Sequence, residues 1–210
     1  LVDSESLHQA IQSLTDTVYN ESIQKMGRDE EYEVMLSNEL KRVYKEMSRL
    51  SPDPLLIDYL KQQYIFHDLK VIAKEVIQDK DYSNIYIDFG DLYLSDVQKA
   101  LKEEENFTVN DDYYEILKNS LYEYKDTKDP QIIDISIDKA YYKKLLQIAN
   151  ESKLDFLIDF TKERIDLINI KTLFRANRQK VDKNVLDSAL IEGGNIEIST
   201  FDGLLGEDLA

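Results

Sequence analysis

The chain has 210 residues and sets 26 Lys and Arg against 42 Asp and Glu, a formal charge of −16. A phosphate-binding surface draws affinity from clustered bases that release counterions, so this balance excludes nucleic acid and direct lipid insertion as ordinary readings. Hydrophobic residues at 42% and charged residues at 32% are globular composition, and six Gly with three Pro are too few to punctuate the hairpins of an all-β chain.

An all-α chain remains. Cys is absent, which removes disulfides and thiolate metal sites. No apolar run approaches the ~18 residues of a membrane span. The opening Leu1-Val2-Asp3-Ser4-Glu5 is neither a signal peptide nor an initiator Met, so the chain reads as a soluble piece excised from something longer.

Apolar positions Leu7, Ala10, Ile11, Leu14 and Val18 recur at helical steps behind Ser4, a candidate N-cap, and predict a helix over residues 5–26 ending near Gly27. A second stripe, Tyr32, Leu36, Leu40, Val43, Met47 and Leu50, stops at Ser51-Pro52. Asp53-Pro54 then supplies an N-cap and a proline at the first helical position, opening a helix to about Ile77 that is apolar on nearly every side. Residues 85–90 read as an extended loop, Ser95 as the cap of a helix over 96–104, and Glu103-Glu104-Glu105-Asn106 as a solvated connector. Helices over 112–125 and 135–151 follow. Another, over 153–178, is again apolar all round and expected at the centre of its domain; Val181 to Ala189 and a short helix from Ser199 complete the chain.

The two all-round apolar helices carry the same segment. Phe66-His67-Asp68-Leu69-Lys70-Val71-Ile72-Ala73-Lys74 aligns with Leu167-Ile168-Asn169-Ile170-Lys171-Thr172-Leu173-Phe174-Arg175 at an offset of 101. Downstream, Ile87-Asp88-Phe89-Gly90 aligns with Ile191-Glu192-Gly193-Gly194 at an offset of 104, as do Leu101 and Leu205. Two segments in the same order at nearly the same spacing predict duplicated helical domains, residues 1–105 with a truncated start and residues 106–210.

With those motifs in view, the chain resembles the C subunit of the V-type and A-type ATP synthases and ATPases, called d in eukaryotes. Tyr64-x-Phe66-x-Asp68-Leu69-Lys70, Asp166-x-x-Asn169-Ile170-Lys171-Thr172-Leu173-x-Arg175 and Ala189-Leu190-Ile191-x-Gly193-Gly194 carry the resemblance, with Leu14-x-x-Thr17-Val18-Tyr19 and Leu50-Ser51-Pro52-Asp53-Pro54 behind them. The resemblance covers essentially the whole chain. It implies a non-catalytic, peripheral component on the cytoplasmic face of a membrane: a helical funnel on the central stalk, coupling the rotor shaft subunits to the membrane rotor ring in proton or sodium transport. Two of the family's three repeats are present. Asp68 stands where the family usually has Asn, and Phe89 replaces the first glycine seen at Gly193.

The candidate chemical sites are weak beside this. Glu5-x-x-His8 matches half of a di-iron helical-bundle site, but the second half is missing and a chance spacing is the better account. Gly193-Gly194 is followed by Asn-Ile-Glu, with no basic group for a phosphate, so backbone geometry is the better reading. No Ser/His/acid arrangement is present. The expectation is therefore no catalytic residue, no metal, no cofactor and no small-molecule substrate. The motif residues are Asp68, Lys70, Lys74, Gly90, Asn169, Lys171, Arg175, Gly193 and Gly194, read as structural or as partner contacts. Lys70 and Lys171 stand out because an unpaired charge within an apolar helix is costly, so each charged tip is expected to snorkel to the surface or pair with an acid, with a partner contact inside the funnel as the other reading. A helical-repeat adaptor that binds a protein or peptide is the alternative function.

Overall fold

The computed structural model describes residues 1–89, 97 and 112–207. Among them the secondary structure is helical throughout, in keeping with the all-α expectation. The chain divides into two compact units, residues 1–57 and residues 58–210. This division reflects compactness and not repetition.

In the first unit the expected helix over 5–26 is two short ones, α1 (Leu7–Gln12) and α2 (Asn20–Lys25), and the cap of α1 is Ser6 rather than Ser4. The break has a local cause. Ser13, Thr15 and Thr17 each turn their hydroxyl onto the carbonyl three residues back, at 2.7, 2.8 and 2.6 Å, and such bonds compete with continuation of the helix. A 3₁₀ turn at Asp29–Glu31 leads into α3 (Tyr32–Leu50), which has the predicted bounds. It buries Met35 and Tyr44, while Leu36, Val43 and Leu50 of the predicted stripe are exposed.

α4 (Pro54–Gln78) starts where Asp53 accepts the Leu55 N–H at 2.9 Å, with proline at the first position. A 3₁₀ turn at Ser83–Ile85 follows it. The expected Ser95 cap, the 96–104 helix, the 103–106 connector, Gly90 and Leu101 lie outside the described residues, apart from Val97, which is buried.

The second unit continues with α5 (Asp112–Thr127), α6 (Pro130–Ser152), α7 (Asp155–Gln179), α8 (Lys183–Ala189) and α9 (Ile198–Gly203). Asp129 caps α6 by accepting the Gln131 N–H at 2.9 Å, so this helix starts five residues before the periodicity suggested. α5 packs on α6 and α6 on α7. Leu69, Ile72, Leu117, Ile137, Leu145 and Ile165 are fully buried and form the centre, while Leu173, Ala176, Leu186, Leu190 and Phe201 make a second cluster where α8 and α9 fold back on α7.

The expectation that α7 is buried on every side is corrected. Phe156, Phe160, Leu167 and Phe174 are exposed, and only the opposite face, Leu157, Ile165, Leu173 and Ala176, is in the core. An even spread of apolar residues around a helix does not show which face other helices cover.

Candidate functional site

Four of the motif residues, Asp68, Asn169, Gly193 and Gly194, mark two places where a long helix fastens the loop that follows it. On α4, Asp68 is buried, and its carboxylate accepts the backbone N–H groups of Ile87 (3.0 Å) and Asp88 (2.8 Å), with the His67 ring beside it. On α7, Asn169 is fully buried. Its amide nitrogen donates to the Ile191 carbonyl at 2.7 Å and its amide oxygen accepts the Ile191 N–H at 2.9 Å. Both backbone polar groups of Ile191 are thereby satisfied where water does not reach.

The second latch has an extra catch. Asp166, one helical turn before Asn169, accepts the N–H groups of Asn195 (3.1 Å) and Ile196 (3.0 Å). Gly193 and Gly194 permit this approach. Gly193 has φ +95°, and a Cβ there would sit 2.4 Å from Leu146 Cδ1; a Cβ on Gly194 would sit 2.1 Å from Asp166 Oδ1. In the alignment of the two sequence segments Phe89 stands at the position of Gly193, and its ring packs on Tyr64 with Lys61 over its face. Asp166 is the residue that reasoning from the sequence left out of the candidate set. Its signal was a carboxylate on an apolar helix, one turn from a motif residue.

The lysines part company. Lys70 donates to Asp138 on α6 at 2.7 Å, with Asp134 4.0 Å away, so an internal acid does hold it. Lys171, at the equivalent position of α7, is exposed, as are Lys74 and Arg175. Lys70→Met is therefore expected to cost about 1 kcal/mol, because both acids are roughly half exposed and screened, whereas Lys171→Met stays within about 0.5 kcal/mol of the parent. Paired chemical-denaturation curves of the two variants check this.

Other polar groups serve packing. Burial pushes the Tyr141 and Tyr142 phenols up, against the pull of the Arg164 guanidinium, which stacks over the rings of Tyr142 and Phe160 at 5.8 and 5.7 Å. Tyr59 and Thr161 share a buried hydrogen bond at 2.9 Å, and Tyr113 donates to the buried Gln62 at 3.0 Å. His8 meets Asp29 at 2.9 Å and not Glu5.

A helical chain built on fastened loops is the class these observations define, and the comparisons give it a family. The family described as "ATP synthase (C/AC39) subunit" matches residues 1–209, and the chain belongs to it. It is similar to the C subunit of the V-type sodium ATPase of Enterococcus hirae, 22% identical over 95% of this chain and 61% of that protein. It is also similar to the C subunits of the A-type ATP synthases of Thermococcus kodakarensis, 26% identical over 94% of this chain and 56% of the relative, and of Pyrococcus horikoshii, 23% over 99% and 58%. The chain thus spans less than two thirds of the length of these relatives. No solved structure matches it. Among the described residues, no helix is long and apolar enough to cross a membrane.

Proposed function

We propose that this chain is a non-catalytic part of the central stalk of a rotary V-type or A-type ATPase, on the cytoplasmic face of the membrane, where it couples the rotor shaft to the membrane ring. The observation that carries this reading is the repeated latch. Asp68 fastens Ile87 nineteen residues on, and Asn169 fastens Ile191 twenty-two residues on. The difference is the same three-residue insertion that separates the sequence offsets of 101 and 104, so equivalent side chains hold equivalent loops. This supports two repeats, residues 1–105 and 106–210, each stiffened by tying its long helix to the segment beyond it. Stiffness of that kind suits a part that transmits torque and turns over no substrate.

The −16 charge bears on how such a part is held. Carboxylates repel an anionic leaflet over roughly a Debye length, ~8 Å at physiological salt, so attachment is protein to protein, with charge setting encounter rate and apolar contacts setting lifetime. Stopped-flow association of the complete subunit with the shaft subunits is expected to slow markedly as salt rises while dissociation changes little. A salt-independent association rate, or tight binding to anionic vesicles alone, contradicts the reading.

A further inference from the structure

One carboxylate of the second unit is left short of a donor. Asp202, on α9, takes the Lys183 ammonium of α8 at 2.9 Å through Oδ2. Its other oxygen, Oδ1, is shielded from water and has no hydrogen-bond partner among the described residues. An acceptor so placed forfeits its bonds to water without replacing them. The group that faces Asp202 from α8 is a second acid. Asp187, four residues after Lys183 and exposed, lies within hydrogen-bonding reach of the Asp202 carboxylate. Leu186 and Phe201, the residues just before these two acids, are both buried in the cluster that α8 and α9 form on α7, so the pair borders that cluster.

Two carboxylates at that distance repel when both are charged, and one lysine offsets only one of them. A single proton resolves the conflict. Asp202 keeps Lys183 on Oδ2, and Oδ1 is open to the O–H of a protonated Asp187. We propose that Asp187 and Asp202 share one proton taken up from solvent, so that α8 and α9 are joined by a clasp that tightens as pH falls below neutrality.

The surroundings decide which acid carries the proton. The hydrogen bond from Lys183, with the one from Asp187, holds Asp202 below the ordinary carboxylate range. Asp187 is pushed above that range by its hydrogen bond to Asp202, partial desolvation and the Asp202 charge, against the weaker pull of Lys183. From α7, on which both helices pack, the side chain bonded to the segment after α9 is Asn177, which is uncharged; the α7 bases Arg175 and Arg178 pair with neither acid. Asp187 therefore adds stability that is complete below its unfolded pKa and lost as pH rises through its folded one. Asp202 adds stability that is present above its unfolded pKa and lost as pH falls through its folded one. The clasp is tightest between the two folded values, a window that contains the ordinary carboxylate range. At neutral pH both acids are charged and Lys183 alone joins the helices. This device lies within the second unit and is independent of the stalk reading.

NMR titration of the side-chain carboxyls in the whole chain tests it. Asp187 should titrate above the ordinary range and Asp202 below it, and Asp202→Ala should return Asp187 to that range. Asp187→Asn puts a permanent N–H donor where the shared proton sits. Near neutral pH it should raise the hydrogen-exchange protection of the α9 amides by ~3-fold or more over the parent. Near the ordinary carboxylate pKa of about 3.9, where the parent holds the proton itself, the difference should vanish. In an Asp202→Ala background the same substitution should lose most of its effect, which separates the clasp from simple removal of a negative charge at the C-terminal end of α8. Ordinary titration of Asp187 in the parent, an Asp187→Asn effect equal at the two pH values, or one undiminished without Asp202 would each overturn the proposal.

Discussion

Gly194→Ala is expected to destabilise the second unit by about 2–4 kcal/mol, although it adds a single methyl group. The added carbon would lie 2.1 Å from Asp166 Oδ1 and 3.1 Å from its Cγ, well inside contact distance. The carboxylate has to swing away, and the N–H groups of Asn195 and Ile196 lose their acceptor together. Gly203→Ala is the control. It meets nothing within 4 Å and lies in α9, so it is expected to be neutral or slightly stabilising by helix propensity. Because the Gly194 penalty acts through Asp166, a double-mutant cycle with Asp166→Ala should show strong coupling, the methyl costing much less once the carboxylate is gone. Thermal or urea unfolding of the four proteins reads all of this directly.

Asn169→Asp is the second large effect, expected to cost about 3 kcal/mol near neutral pH. Asn169 donates to the Ile191 carbonyl and accepts the Ile191 N–H. A carboxylate at this fully buried position keeps the acceptor, loses the donor and faces a carbonyl oxygen. The new acid is disfavoured when charged, so its folded pKa lies above its unfolded value. Protonation returns a donor, and the deficit should therefore shrink as pH falls through the folded pKa towards the unfolded one and grow as pH rises. Asp68→Asn should be milder, about 1 kcal/mol, because Asp68 only accepts N–H groups and an amide oxygen can keep one of the two. Denaturant midpoints over a pH series separate these outcomes.

The helices were legible where a local rule marks them. Asp53-Pro54 opens α4 and the three- and four-residue apolar period bounds α3, whereas α6 starts at Pro130 behind the Asp129 cap, five residues ahead of its apolar period. The rule failed where side chains overrode it. Ser13, Thr15 and Thr17 spend their hydroxyls on nearby carbonyls and divide the first expected helix. The latches were half legible: Asp68, Asn169 and the Gly193-Gly194 pair stood out as a repeated pattern, but Asp166 shows its use only when the 195–196 backbone comes back to it. Lys70 and Lys171 look alike in sequence because what separates them is Asp138 on another helix. For the same reason the apolar residues of α7 gave no sign of which face would stay in solvent.

The central claim is that this chain couples rotation to ion movement without catalysing anything itself. The direct measurement is ion uptake per ATP hydrolysed in vesicles carrying the reconstituted ATPase, with the complete subunit present, omitted or added back. The account predicts that hydrolysis persists without the subunit while ion uptake collapses, and that adding it back restores uptake. Undiminished uptake per ATP in its absence would contradict it.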